Sequence, residues 1–418
     1  MPADGPRRVA IVGPTHPYKG GIAQHTTELA HRLAARGHDV RIESWADQYP
    51  ARLYPGQQRV DIPEMEPFAR TGYPLSWRRP DGWVRLGRRL RATVDVVIVV
   101  VVTPIQAPAY LSILAGLGRA RPPRARASMP PAGRPRGGPA VLALCHNVLP
   151  HERRPVDEPL IRAVLRRADA VLVHTESEAV RAAALTAAPV HVAAMAPHLW
   201  AAPTRRVREG AVAPAPGAGD GEPRRRLLFF GLVRPYKGLD VLLRALAAGP
   251  PDVALTVAGE FWGGTDETAA LITQLRLGDR VDLRPGYVDA ADVPALFEAA
   301  DALVLPYRSG TASQNVDLAH LHGLPVVATA VGTLPAAVAD GVDGLLVAPD
   351  DPAALAAALR RLYEPGVLAA LTGKVRPPDT AGGWDGYLDV LADAVSQPPR
   401  PAPPERAPDP GEGGQHNE

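Results

Sequence analysis

The chain has 418 residues, of which 46% are hydrophobic and 22% are charged. This length and composition allow two ordinary globular domains and exclude a single small module. The one cysteine, Cys145, excludes an intramolecular disulfide, and the first strand-like run begins at Val9 with no apolar signal-peptide core before it. Both features predict a protein of the reducing cytoplasm.

The net charge of +2 conceals an uneven distribution. Residues 1–202 contain 27 lysines and arginines against 16 acidic residues, a net charge of +11, so the remainder carries −9. A basic half is compatible with nucleic acid, an anionic membrane surface or phosphorylated substrates. Its densest stretch is either a solvated helix face or a membrane contact, and the sequence leaves both open. That stretch contains Trp77, Arg78, Arg79, Trp83, Arg85, Arg88, Arg89 and Arg91.

Clusters of glycine and proline divide the chain. Residues 119–139 are predicted to be a mobile basic loop, residues 203–226 an interdomain linker, and residues 397–418 a disordered tail. The predicted division is a first domain over 1–202, a second domain over 227–378 and a C-terminal helical segment over 379–396 that packs back on the first domain.

Between these breaks, short β-branched runs alternate with helical periodicity rich in alanine and leucine, a pattern typical of parallel strands joined by helices. The runs are continuously apolar, which indicates sheets covered by helices on both faces. The predicted fold class is therefore α/β, with two Rossmann-like, doubly wound parallel sheets. The predicted strands, in chain order, are 9–13, 39–44, 96–102, 141–145, 170–174, 227–231, 253–259, 281–285, 302–306 and 325–329.

Residues 96–117 are apolar enough to raise a transmembrane alternative. Pro104, Gln106 and Pro108 interrupt the run, which favours a buried strand followed by a helix. Two further helices are predicted near the end of the chain, one after Pro349 and one over 386–395.

Only three of the 46 basic residues are lysines, namely Lys19, Lys237 and Lys374, and the first two lie in the same tetrapeptide, Pro-Tyr-Lys-Gly. In both halves this tetrapeptide lies between an apolar strand and an amphipathic helix. A glycine-containing turn there lets backbone N–H groups approach an anion, and the helix start adds partial positive charge. Lys237 can thus place an ammonium beside a diphosphate, and Arg234 can bind a second oxygen. The alternative is a surface lysine before a glycine cap.

Three segments carry a wider pattern. Residues 9–42 read VAIVGPTHPYKGGIAQHTTELAHRLAARGHDVRI, residues 227–246 read LLFFGLVRPYKGLDVLLRAL, and residues 281–350 close with GLPVVATAVGTLPAAVADGVDGLLVAPDD. In order and spacing these segments resemble the retaining glycosyltransferases of family four, group 1. The resemblance covers nearly all of residues 9–395. It implies the two-domain GT-B fold and transfer of a sugar from a nucleotide donor.

The resemblance also implies a donor site. Gly20 and Gly21 would lie against the donor diphosphate from the first domain, and Lys237 would neutralise it from the second. In the family an arginine usually follows the strand's glycine directly. Here Leu232 stands at that place, and the nearest arginine is Arg234.

A histidine position is carried over in the same way. His146, in the strand-end sequence Cys-His-Asn, matches a family histidine near the donor sugar and the reacting centre. The alternative is hydrogen bonding within its own loop. The implied chemistry is front-face substitution, in which Lys237 and helix N-termini stabilise the leaving diphosphate while His146 orients the donor sugar.

The largest departure from the family concerns two glutamates, spaced eight apart, which usually face the sugar and the ribose. Alignment on Gly323 places Gly310 and Leu318 at these positions. A leucine accepts no hydrogen bond from a ribose, so the contact is absent or is supplied by Asp317 or His320. The surrounding run can offer hydroxyls and backbone N–H groups to the donor, or can serve helix capping alone. The candidate donor-binding residues in this run are Gly310, Thr311, Ser313, Gln314 and Asp317.

Several signatures are absent from the sequence. There is no Asp-x-Asp beside an apolar strand, and Cys145 with His146 is too little for zinc. There is also no Gly-x-Ser-x-Gly elbow, Walker loop or Gly-x-Gly-x-x-Gly fingerprint, which argues against hydrolase, ATPase and dehydrogenase activities. We therefore expect no metal and no cofactor. The resemblance to the family implies a nucleotide-diphosphate sugar as donor substrate, and we expect no nucleic-acid partner.

Two alternatives to transfer stay open at this point. The missing glutamates are compatible with a nucleotide-sugar-binding protein that has lost catalysis, and the fold also suits a sugar-nucleotide epimerase. The basic first half predicts a lipid-linked or envelope-glycan acceptor at the inner face of an anionic membrane, with a soluble acceptor as the alternative.

Overall fold

The computed structural model describes residues 5–50, 57–63, 65–119, 138–150, 154–198, 225–310 and 313–396. Most of the predicted loop at 119–139, most of the predicted linker at 203–226 and the predicted tail at 397–418 lie outside the described residues.

The first domain is a parallel sheet covered by helices. The sheet order is β3-β2-β1-β4-β5-β6-β7, so the direction in which strands are added reverses between β1 and β4. The carboxyl ends of strands beside such a reversal form a crevice suited to ligands. The elements are β1 Arg8–Val12, α1 Gly21–Ala35, β2 Asp39–Asp47, β3 Thr71–Ser76, α2 Asp81–Thr93, β4 Val96–Val101, α3 Ala107–Gly116, β5 Ala140–Cys145, α4 Asp157–Leu165, β6 Ala170–Val173, α5 Glu176–Ala183 and β7 Val190–Val192.

The second domain repeats this plan with six parallel strands, in the order β10-β9-β8-β11-β12-β13. The reversal again lies beside the domain's first strand, between β8 and β11. The elements are β8 Arg225–Phe230, α6 Leu239–Ala248, β9 Val253–Gly259, α7 Asp266–Gln274, β10 Val281–Pro285, α8 Val293–Glu298, β11 Ala302–Leu305, α9 Asn315–Leu321, β12 Val326–Thr329, α10 Leu334–Ala337, β13 Gly344–Val347, α11 Pro352–Leu362 and α12 Val367–Thr372. A last helix, α13 Thr380–Ser396, follows them in the chain.

The central strand β4 shows why the strands are continuously apolar. All six of its residues are buried, and alternate residues enter the two hydrophobic cores on opposite faces of the sheet. A strand covered on both faces gains from apolar residues at every position. The interrupted run at 96–117 is thus β4 followed by α3, as predicted. Within the part of the chain that the structure describes, no helix has the length and apolar character needed to cross a bilayer.

The helix α13 packs on the first sheet although it follows the second domain in sequence. Trp384, Tyr387 and Leu391 are buried in the same core as Ile11 of β1. The Trp384 indole Nε1 donates to the Pro197 carbonyl oxygen at 2.7 Å. The chain therefore crosses back to its first domain at its C-terminal end.

All ten predicted strands are present. Among the residues that the structure describes, three further strands, β3, β7 and β13, were not predicted, and each lies at the edge of its sheet.

Candidate functional site

A cavity of about 330 Å³ lies between the two domains. It opens at the carboxyl ends of β8 and β9 and at the start of α1, beside both strand-order reversals. Its wall from the first domain is formed by Lys19, Gly20, Gly21, Gln24 and His198. Its wall from the second domain is formed by Phe230, Gly231, Leu232, Gly259, Glu260, Tyr287, Val288, Gln314, Asn315 and Leu318.

The first turn of α1 forms the floor of the cavity. Gly20 precedes the helix with φ 95°, a conformation that favours glycine, and no side chain caps the helix start. The first turn contains no acidic residue. The orphan N–H groups and the helix dipole therefore present partial positive charge to the cavity.

Two glycines on the opposite wall allow β8 and β9 to meet closely. A Cβ atom on Gly259 would lie 1.8 Å from the carbonyl oxygen of Gly231, so no larger residue fits there. Gly259 has φ 151°, and Glu260 follows it directly into the cavity. Its carboxylate Oε1 lies 2.7 Å from Nζ of Lys19, which joins the two domains.

The predicted phosphate-binding residues Lys237 and Arg234 do not line the cavity. Lys237 Nζ lies 3.7 Å from the centroid of the Tyr307 ring, and the Arg234 guanidinium lies 4.5 Å from the centroid of the Trp262 ring. Arg308 supports the turn, because its backbone N–H and its guanidinium donate to carbonyl oxygens of that turn.

The start of α9, which lies in sequence between Gly310 and Leu318, supplies two polar amides to the cavity wall. Gln314 Oε1 accepts a hydrogen bond from the backbone N–H of His198 at 3.3 Å, which links the domains. Asn315 Nδ2 donates to the Phe230 carbonyl oxygen at 3.0 Å. Leu318 leaves this part of the wall apolar.

The remaining predicted residues of this run lie away from the cavity wall. Gly310, Ser313 and Asp317 do not line it, and Thr311 lies outside the described residues. Burial raises the pKa of Asp317 to about 6. His320, the other predicted substitute for a glutamate, is buried in α9 and does not line the cavity.

His146 lies behind the cavity in a cluster of four buried histidines. Its ring centroid is 4.9 Å from those of His25 and His174, and His25 in turn lies 5.4 Å from His198. Burial lowers the pKa of each, to about 4 for His174 and His198. The rings are therefore neutral near pH 7. Among the described residues, no group of three histidine, cysteine or acidic side chains is arranged to hold a metal ion.

His198, which the sequence reasoning missed, is the member of this cluster that lines the cavity. Its Nδ1 donates to the Ala196 carbonyl oxygen at 3.2 Å, so Nε2 keeps a free lone pair. Nε2 faces α1 at Gly21, where an added Cβ would lie 3.3 Å from it. No local sequence pattern identifies His198, because its contact is with Gly21, which lies 177 residues earlier in the chain.

Two protein families match this chain, one in each domain. The one described as Glycosyltransferase Family 4 matches residues 19–195, and the one described as Glycosyl transferases group 1 matches residues 224–365. The chain belongs to the family four, group 1 glycosyltransferases. The resemblance inferred from the sequence is thus confirmed.

Relatives of this glycosyltransferase share about a third of the aligned residues. A D-inositol 3-phosphate glycosyltransferase of Xylanimonas cellulosilytica is 36% identical over 181 residues, which are 41% of this chain and 43% of that protein. A protein of the same name from Salinispora arenicola is 38% identical over 184 residues, 40% of this chain and 41% of that protein. The chain thus matches less than half the length of these curated relatives.

Solved structures resemble the glycosyltransferase over nearly its whole length. Anabaena HepE in complex with UDP aligns with a TM-score of 0.60 and 18% identity, covering 93% of this chain and 99% of that one. Sucrose-phosphate synthase from Thermosynechococcus elongatus aligns with a TM-score of 0.62 and 20% identity, covering 93% and 96%. At these identities the likeness shows the fold, and the predicted GT-B architecture is confirmed.

Proposed function

We propose that the protein is a retaining glycosyltransferase that moves a sugar from a nucleotide-diphosphate sugar to an acceptor hydroxyl. The observation that carries this proposal is the cavity at the carboxyl ends of both sheets, with the uncapped start of α1 on one side. Such a helix start is suited to a phosphate group. Solved relatives of the same fold support it, because HepE binds UDP and UDP-glucose.

In this proposal the donor diphosphate lies against Gly20 and Gly21, with its sugar toward Gln314 and Asn315. Lys237 reaches the diphosphate from the second domain by leaving the Tyr307 ring, whose centroid lies 3.7 Å from the lysine Nζ. The exchange is favourable because an ammonium binds phosphate oxygens more strongly than an aromatic face. Arg234 is proposed as a weaker phosphate contact at the same turn.

The proposed chemistry uses charge stabilisation without a metal or cofactor. As the bond between the sugar and the diphosphate breaks, negative charge collects on the leaving oxygen, where the helix start and Lys237 stabilise it. That oxygen then accepts the proton of the attacking hydroxyl. We assign to His198 the orienting role that the resemblance implied for His146, because His198 lines the cavity and its Nε2 faces Gly21.

The absent glutamates are replaced by amides in this proposal. Gln314 and Asn315 can each donate and accept hydrogen bonds, so they can contact sugar hydroxyls that a carboxylate would otherwise bind. Leu318 presents no polar atom, which removes one anchor for a ribose. We expect weaker discrimination at the ribose than a carboxylate would give.

For the acceptor we propose a hydroxyl compound that carries phosphate, in glycolipid, exopolysaccharide or envelope-glycan synthesis. The relatives named D-inositol 3-phosphate glycosyltransferases support a phosphorylated acceptor. Trp77 is 39% exposed, and the Arg78 guanidinium lies 5.2 Å from its ring centroid. Arg89, by contrast, pairs with Glu43. A peripheral contact with an anionic membrane would therefore centre on Trp77 and Arg78, with the protein in the cytoplasm.

The proposal is tested by a thermal-shift screen of nucleotide sugars, followed by analysis of products with each sugar that binds. Transfer with retained anomeric configuration is the expected result. Binding without turnover would instead support a non-catalytic protein, and an isomerised donor would support an epimerase. Co-sedimentation with vesicles, with and without anionic lipid, separates a membrane-linked acceptor from a soluble one.

A further inference from the structure

Lys19 and Glu260 form an ion pair across the cavity. Lys19 Nζ lies 2.7 Å from Glu260 Oε1, and the two side chains are only 5% and 15% exposed. Lys19 belongs to the first domain and Glu260 to the second, and both line the cavity. The pair therefore joins the domains at the place where the proposed function puts the donor.

The Lys19 ammonium is placed to bind an anion larger than a carboxylate. Lys19 directly precedes Gly20 and the uncapped first turn of α1. Its Nζ also lies 4.6 Å from the centroid of the Tyr287 ring, so the cation is held away from bulk water. An ammonium beside free helix N–H groups supplies both the charge and the donors that a phosphate group binds.

Glu260 holds its carboxylate in the position of such an anion. Its Oε1 accepts a second hydrogen bond, from the Gln57 backbone N–H at 2.8 Å, and its Oε2 lies 3.5 Å from the Trp262 indole nitrogen. The preceding Gly259 is in close contact with Gly231, which fixes the backbone at this point. The Glu260 carboxylate thus neutralises the Lys19 ammonium.

We propose that Lys19 is a ligand of the donor diphosphate and that Glu260 is a built-in competitor, which the diphosphate displaces. This inference rests on the proposed function. A diphosphate carries more negative charge than a carboxylate and can bind the ammonium and the helix start together. Glu260 keeps the Gln57 N–H when it releases Lys19. Its competition lowers the apparent affinity for the donor, because only the released state binds.

The test is calorimetric titration of the full chain with four probes: inorganic pyrophosphate, UDP, GDP and ADP. Glu260→Gln keeps the size of the side chain and removes its charge, so it should tighten binding about fivefold. Lys19→Met should weaken binding about tenfold. In the double variant, Glu260→Gln should bring no gain, because the cation for which it competes is gone. The control Glu267→Gln removes the same charge at an exposed position on α7, so it should bind the probes like the wild type.

The outcomes separate this inference from the proposed function. The competitor role of Glu260 is overturned if Glu260→Gln binds the probes no more tightly than the wild type, or if its gain in affinity persists in the Lys19→Met background. In either case, binding of a probe by the wild type leaves the proposed function standing. Wild-type protein that binds none of the four probes overturns both. Thermal unfolding checks that each variant is folded. Lys19→Gln replaces Lys19→Met if the methionine variant does not fold.

Discussion

The two Pro-Tyr-Lys-Gly turns have the same sequence but different structures. In the second domain, Pro235–Lys237 forms a 3-10 helix that ends in a left-handed Gly238 with φ 67°. In the first domain, Gly20 has φ 95° and an extended ψ of 167°. Lys19 lines the cavity, whereas the second lysine lies on the Tyr307 ring outside it.

The neighbours of each turn account for this difference. The first turn faces Glu260 of the other domain, so its lysine forms an ion pair across the cavity. The second turn is hydrogen-bonded to Arg308 and packs beside Tyr307, so its lysine stays within its own domain. The tetrapeptide thus predicts that a lysine lies just after a strand, and the tertiary contacts of each turn decide which groups its side chain contacts.

The largest expected effect follows from replacing Lys237, the lysine of the second turn. Lys237→Ala should lower kcat for sugar transfer by about 10²- to 10³-fold, because the leaving diphosphate loses the positive charge that stabilises it. The matched control is Lys374→Ala, which removes the third lysine at an exposed position. Steady-state kinetics and thermal unfolding measure the two effects separately. Near-normal turnover in folded Lys237→Ala protein would remove this residue from the site.

The two glycines of the turns should differ in their tolerance of a side chain. A Cβ on Gly238 would lie 2.0 Å from the Pro306 carbonyl oxygen, whereas a Cβ on Gly20 would meet nothing within 4 Å. Gly238→Ala should cost about 3 kcal/mol of unfolding free energy and Gly20→Ala about 1–2 kcal/mol, the latter from backbone strain alone. Urea denaturation measures both. Equal losses would show that the clash at Gly238 is relieved by movement.

Acid should destabilise the domain behind the Lys19 turn, where the four histidines are buried. The pKa of His174 is about 4 in the folded protein and about 6.5 in the unfolded chain. Between these values the unfolded state binds more protons, so stability falls as the pH is lowered from about 6.5 toward 4. The loss should be about 1 kcal/mol per pH unit for each such histidine.

Urea unfolding of wild type and His174→Asn at pH 7.5 and 5.5 tests this expectation. The variant should have a shallower pH dependence, because it lacks one group that gains a proton on unfolding. His31→Asn serves as the matched control, since its ring lies outside the cluster. Equal pH dependence in wild type and His174→Asn would contradict the lowered pKa.

The smallest effect concerns the ring that holds the second lysine. Tyr307→Leu removes the aromatic face and the hydroxyl that accepts a hydrogen bond from Asn315 Nδ2 at 3.4 Å. Transfer should slow about threefold, because Asn315 on the cavity wall loses this hydrogen bond, whereas the Lys237 ammonium leaves the ring in any case when it reaches the diphosphate. The kcat of Tyr307→Leu, compared with that of Lys237→Ala, measures how much Tyr307 contributes to the rate of transfer. A loss as large as that of the lysine variant would mean that the ring itself contacts the substrate.

The three strands that the sequence did not predict all lie at sheet edges, whereas nine of the ten predicted strands lie inside their sheets and only β10 lies at an edge. Most of the predicted interior strands are continuous apolar runs, because they are covered on both faces. The edge strands β3, β7 and β13 are short or interrupted, since an edge needs less apolar surface: β7 has three residues, and β3 contains Gly72 and Pro74. Periodicity therefore predicts the centre of each sheet better than its margins.

The cavity was predicted in part. Of the predicted donor-binding residues, Gly20, Gly21 and Gln314 line it, and the two glycines were predicted from the resemblance to the family. Pattern matching could not separate His146 from His198, because both follow strands of the same sheet and only packing decides which ring reaches the cavity. The partnership of Lys19 with Glu260 spans 241 residues and has no local signature.

The most direct test of a donor site in this cavity is a crystal structure with a bound nucleoside diphosphate that supports binding in solution. We expect the diphosphate at the first turn of α1, within hydrogen-bonding distance of Gly21 N–H and Lys19 Nζ, with Glu260 released from the lysine. A diphosphate bound outside the cavity, with the ion pair between Lys19 and Glu260 intact, would contradict it.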